Sequence, residues 1–163
     1  MQRQEWNRGK EGVIIIDGAW KSNNFNAGAA WCVYKNGVHW KENFAIGFRA
    51  TNALYAETKA CYHVIIWAKH QGWKYVSVLI DCQQLIQNLE SDYSLDHNID
   101  TLIRYIKYFA SLFNSCMVYK VERRVVCNAH NVRVAIIHLY SSIFYYCYCY
   151  SYCSLLLFLA HGP

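Results

Sequence analysis

The chain has 163 residues and a net charge of +5, with 55% of its residues hydrophobic and 17% aromatic. That length suits one domain with enough interior for a real core, and the mild positive charge is compatible with a polyanion partner without being evidence for one. Eight cysteines with no CxxC pair, behind a polar opening of Met-Gln-Arg-Gln-Glu-Trp that does not read as a secretory signal, are expected to be reduced thiols of an intracellular protein rather than a disulfide framework.

Residues 1–12 are polar and charged and read as a loose leader. Val13-Ile14-Ile15-Ile16 then runs straight into Asp17-Gly18-Ala19. A continuous β-branched run fits a strand buried on both faces. A carboxylate at its end is costly unless paired, hydrogen-bonded or bound to a cation, and Gly18 and Ala19 leave room for a ligand to approach the backbone. Taken alone, Asp17 is better read as a strand cap. Residues 21–27 read as a loop, 28–34 as a second strand, and Lys35-Asn36-Gly37 as a tight hairpin turn. Residues 38–46 form the returning strand.

The period then changes. Leu54, Ala60, Cys61, Val64, Ile65 and Ala68 recur at helical spacing over 52–70, with Gly72 as a stop. Glu57 shares a face with Ala60, Cys61 and Val64, at the margin of the buried side, although most helix acids are simply solvated. Residues 75–80 form another β run that ends in an acid, Asp81, with a helical pattern directly after it. Asp81 also suits the N-cap of that helix. Residues 91–97 are a polar loop, 98–113 a helix and 116–121 a last strand, and Ala129-His130 opens a final helix. Three early antiparallel strands, with later ones reached through helices, give a mixed α/β sheet flanked by helices. Asp17 and Asp81 both stand at the C-terminal end of an apolar strand, where ligands gather in open α/β sheets.

Over about residues 10–135 the chain resembles the ribonuclease H type 1 fold, and more closely the plant reverse-transcriptase-like RNase H domains. The residues that carry the resemblance are Asp17-Gly18-Ala19, the Gly28 strand with Asn36-Gly37, Ala56-Glu57 with Ala60, Asp81 with Leu85, and Arg123 with Ala129-His130. The acids follow one another at 40 and 24 positions, close to the family's separations. The resemblance implies a mixed five-stranded sheet, its first three strands antiparallel, over residues 13–135. It also implies a nuclease that uses two Mg²⁺ or Mn²⁺ ions about 3.5–4 Å apart to cut the RNA strand of RNA–DNA hybrids. In that frame Asp17 bridges both ions, Glu57 and Asp81 hold one each, and His130 stands where type 1 enzymes have a fourth acid. Gly18, Ala19 and Arg123 contact the nucleic acid. The asparagine that the subfamily carries ahead of Ala-His is Val126 here, and no dense Lys/Arg run lies between Asp81 and the last strand. The rival is a catalytically impaired nucleic-acid-binding module derived from a transposable element. A monomer without a small-molecule cofactor is expected on either view.

No formal charge follows Arg133, and residues 134–160 are uncharged, with Tyr and Cys alternating in the middle. Three readings are open: a membrane span, since about 20 apolar residues can cross a bilayer, a buried element, or a segment at 136–163 outside the fold. The last is favoured, because six tyrosines and three cysteines within 140–153 suit a bilayer centre poorly and the resembled fold is complete before them.

Overall fold

The computed structural model describes residues 12–35, 38–91 and 97–126. Its elements are β1 (Gly12–Trp20), β2 (Asn26–Lys35), β3 (Val38–Arg49), α1 (Ala53–His70), β4 (Tyr75–Ile80), α2 (Gln83–Glu90), α3 (His97–Ser111) and β5 (Ser115–Lys120), followed by a 3₁₀ turn at Arg123–Val125. The strands form one sheet in the order β3-β2-β1-β4-β5. β1 pairs antiparallel with β2, and β2 with β3. β4 pairs parallel with both β1 and β5. This is the mixed sheet, antiparallel over its first three strands and flanked by helices, that the sequence predicts.

β1 is central because it is apolar on both faces. Ile14 and Ile16 point to the helix layer, where they meet Val76, Val78 and Ile80 of β4 and Val64, Ile65 and Trp67 of α1. Val13 and Ile15 point the other way, into a second cluster with Cys32, Leu79, Val121 and Val126. Ile14 and Ile16 are wholly buried, and each such side chain contributes about 1.5–3 kcal/mol of hydrophobic free energy.

α1 starts where Asn52 Oδ1 accepts the Tyr55 backbone N–H at 2.7 Å, which satisfies one of the orphan donors of the first turn. It stops where Gly72 takes φ +73°, a left-handed conformation that glycine tolerates best. Trp73 follows and packs its ring against Gly12 so closely that a Cβ there would lie 2.2 Å from a ring carbon.

Two expectations are corrected. The β2–β3 ladder runs on to the pair Asn26–Arg49, so both strands are longer than predicted and the connection after β1 is shorter. The N-cap of α2 is Cys82, still extended and without a side-chain cap bond, so Asp81 lies one residue before the position that would let it cap the helix. The Asn36-Gly37 turn, the leader, the final helix with His130 and the uncharged segment lie outside the described residues. Among the described residues no helix is long and apolar enough to cross a membrane.

Candidate active site

Asp17 follows the four-residue apolar run of β1 and is 2% exposed. The parallel β1–β4 ladder pairs Ile15 with Leu79, and Asp81 follows the end of β4, so both strands deliver an acid to the same end of the sheet. Glu57 comes from the second turn of α1, which packs on β1, and is half-buried. One ligand oxygen from each of Asp17, Glu57 and Asp81 lies within 4.8 Å of the other two.

Three carboxylates at this separation repel one another, and burial of Asp17 raises the cost. A divalent cation offsets both penalties. An all-oxygen donor set suits hard ions such as Mg²⁺ or Mn²⁺ rather than the softer metals that thiolate and imidazole favour. The residues present therefore fit a hard divalent cation.

The surroundings are shaped for these acids. The Gly18 backbone N–H donates to Glu57 Oε2 at 3.0 Å. The thiol of Cys82, next to Asp81, is pushed up, first by burial and then by the Glu57 and Asp81 charges, against backbone hydrogen bonds from Leu85 and Gln84 that act the other way. Ala19 is buried beside Gly18. Arg123 is exposed and opens the 3₁₀ turn just beyond β5. Val121 donates its N–H to Ile80 O, which sets that turn at the sheet end carrying Asp81. His130 lies outside the described residues.

The sequence from residue 15 to 132 matches a family model described as reverse transcriptase-like. The chain belongs to the reverse transcriptase-like family. No curated protein matches it in sequence. Solved structures of low identity share the fold of this reverse transcriptase-like chain. RNase H1 from the halophilic archaeon Halobacterium salinarum is 19% identical with a TM-score of 0.67, over 74% of this chain and 92% of that one. The N-terminal RNase H domain of a Mycobacterium tuberculosis protein is 20% identical with a TM-score of 0.70, over 80% and 96%. An RNase H1 isolated from compost, solved in complex with an RNA/DNA hybrid, is 14% identical with a TM-score of 0.64, over 74% and 91%.

One feature of the reverse transcriptase-like domain had no signal in the sequence. A cavity of about 340 Å³ opens where the β1–β2 connection, the end of β3 and the starts of α1 and α3 meet, lined by Phe25, Arg49, Ala50, Thr51, Tyr55 and Asn98. Phe25 is 51% exposed and has φ +56°, an uncommon conformation for a bulky residue. Tyr55 lies two residues before Glu57, so this cavity and the carboxylates share the first turns of α1. Its members come from four separate segments at no fixed spacing, and for that reason no motif announces them.

Proposed function

We propose that this chain is a divalent-metal-dependent endonuclease that cleaves the RNA strand of RNA–DNA hybrids. The observation that carries this reading is the meeting of Asp17, Glu57 and Asp81, with ligand oxygens within 4.8 Å of one another. Mg²⁺ or Mn²⁺ bound there supplies positive charge that activates a water and offsets the charge on the leaving oxygen. Asp17 is the ligand whose position is fixed by the sheet. Glu57 is held by the Gly18 amide. Asp81 completes the set from the neighbouring strand.

Substrate contacts follow from the chemistry around the acids. Arg49, Thr51 and Asn98 bring a guanidinium, a hydroxyl and an amide to one cavity, a combination suited to a backbone phosphate. The rings of Phe25 and Tyr55 in the same lining offer faces to a sugar or base. Ala19 and Arg123 contact the strand nearer the carboxylates, and His130 stands in for a fourth acid as a neutral ligand or proton carrier. The domain spans 13–135, with 136–163 outside it, and acts inside the cell as a monomer.

Val126 favours a second reading. It is buried, 1% exposed, in the cluster on the second face of the sheet, at the position where the resembled subfamily carries asparagine. An apolar packing residue there, with a histidine for the fourth acid, suits a catalytically impaired nucleic-acid-binding module derived from a transposable element.

The deciding experiment incubates the full chain with a labelled RNA–DNA hybrid in Mg²⁺ and then in Mn²⁺, beside Asp17→Asn. Cleavage that disappears in the variant establishes the nuclease. Hybrid binding by the folded protein with no cleavage in either metal establishes the binding module instead.

A further inference from the structure

Gly18 follows the buried acid of β1, and the space its missing side chain leaves is filled from inside the protein. A Cβ built on Gly18 would lie 2.9 Å from the backbone N and Cα of Glu57 and 2.9 Å from Glu57 Oε2. Those first two atoms belong to a helix backbone and cannot yield as the tip of a flexible side chain would. The approach is supported from both sides. Ala27, Ala50 and Ala56 are all buried and form one cluster of small side chains where the first turns of α1 meet β2 and the end of β3. Asn52 caps the same helix end through the Tyr55 N–H. The start of α1 is therefore seated close enough to β1 for a main-chain amide, that of Gly18, to reach the Glu57 carboxylate at 3.0 Å.

We infer that Gly18 is a positioning residue for Glu57: it lets α1 close on β1 and holds one carboxylate oxygen with its amide, so that Glu57 meets Asp17 and Asp81 already oriented for a hard divalent cation. This rests on the metal-centre reading above and adds to it the reason a glycine follows Asp17. A long carboxylate on a helix has three rotatable torsions, and ordering them costs side-chain entropy whenever a metal binds. A main-chain donor, fixed by the strand, removes much of that cost in advance. Partners of this outer kind typically change metal affinity by about 10- to 100-fold when they are lost.

The test uses Mn²⁺ as the probe and free-Mn²⁺ electron paramagnetic resonance as the readout, on the full chain, so that no turnover is involved. Wild type, Gly18→Ala, Glu57→Gln and the double variant are titrated together. Gly18→Ala is expected to weaken Mn²⁺ binding by about 10- to 100-fold in the native background and to have little further effect once Glu57 is Gln, because the two residues act as one unit. Equal Mn²⁺ affinity in Gly18→Ala and wild type overturns the inference, as does the same loss in both backgrounds. If wild type itself binds no Mn²⁺, the metal-centre reading fails first, and the two failures are distinct. Should Gly18→Ala not fold, the wild-type Gly18 amide decides the matter by nuclear magnetic resonance. A proton shifted and slowed in exchange by the carboxylate should lose both features in Glu57→Ala, and an amide indifferent to that change refutes the assignment.

Discussion

Asp17 and Asp81 each lie two residues beyond the Ile15–Leu79 pair, the last of the parallel β1–β4 ladder, and their ligand oxygens lie within 4.8 Å of each other. Register alone therefore brings two negative charges together, and Asp17 is the more buried of the pair. In the absence of a cation this arrangement opposes folding. Asp17→Asn is expected to raise the melting temperature of the metal-free protein by about 2–4 °C, the shift that corresponds to ~1 kcal/mol in a chain of this size, while abolishing metal binding. Thermal unfolding in a chelator checks the first half, and a melting temperature below wild type would contradict it.

Metal should act in the opposite sense on the native chain. A cation that binds only the folded state stabilises it by about 2.7 kcal/mol at a hundred times its dissociation constant. Wild type should melt higher with rising Mg²⁺ or Mn²⁺, return to its starting value when the ion is chelated, and show no such response in Asp17→Asn. Scanning fluorimetry across a metal series measures this directly.

The cavity bearing Arg49 predicts a nucleic-acid phenotype separable from metal binding. Arg49→Ala should weaken hybrid binding and reduce the dependence of log affinity on log salt by about one unit, as expected for the loss of one phosphate contact. Metal-induced stabilisation should be unchanged. Fluorescence anisotropy at several salt concentrations distinguishes the two, and an unchanged slope would remove Arg49 from the interface.

Acid should destabilise the fold partly through His63. Burial, helped by the Lys59 charge, lowers its pKa from 6.5 to about 4. Between those values the unfolded chain takes up a proton that the folded chain does not, so this contribution is complete above 6.5, is lost as pH falls through the window, and changes no further below 4. In His63→Gln the stability difference between about pH 7.5 and about pH 5 should shrink. Urea unfolding of both proteins at the two pH values provides the comparison.

Two glycines should fail in different ways. Gly12→Ala drives a methyl group against the Trp73 ring at 2.2 Å, and overpacking of this kind costs about 1–3 kcal/mol. Gly72→Ala meets nothing within 4 Å but must hold φ +73°, at a cost of about 1–2 kcal/mol. Gly72→Asn should recover part of that loss, whereas no larger residue should rescue position 12. Urea midpoints rank the series.

Asp17, Glu57 and Asp81 are legible in the sequence because two of them end apolar strand runs and the third lies at the buried margin of a periodic helix, and because their order resembles the RNase H type 1 pattern. The mixed character of the sheet is legible too, since the Asn-Gly turn and the helical crossovers make the first three strands antiparallel and bring in the later ones through helices, whereas the order β3-β2-β1-β4-β5 comes from the structure. The placement of Asp81 is one residue less legible. Side-chain preference favours Asp81 as the cap, whereas the helix starts one residue later, at Cys82, which makes no side-chain cap bond. The Arg49–Thr51–Asn98 cavity is not legible at all, since it exists only after β3, α1 and α3 have docked. The partner of Gly18 is hidden likewise: the sequence shows a small residue beside an acid, and only the packing of α1 on β1 shows that the small residue makes way for Glu57.

The central position of β1 also bears on incomplete copies of this chain. Its neighbour β2 follows at once, but β4, which closes its other side through pairs such as Val13–Ser77, arrives only after the whole of α1. Until then the Val-Ile-Ile-Ile run presents an open row of backbone donors and acceptors, an adhesive template for other chains. Products that stop anywhere before Ile80 should therefore be lost to insoluble aggregates instead of persisting as half-domains. Asp17 is made early and Asp81 late, on opposite sides of that junction, so a partial product carries neither a stable sheet nor the three acids together.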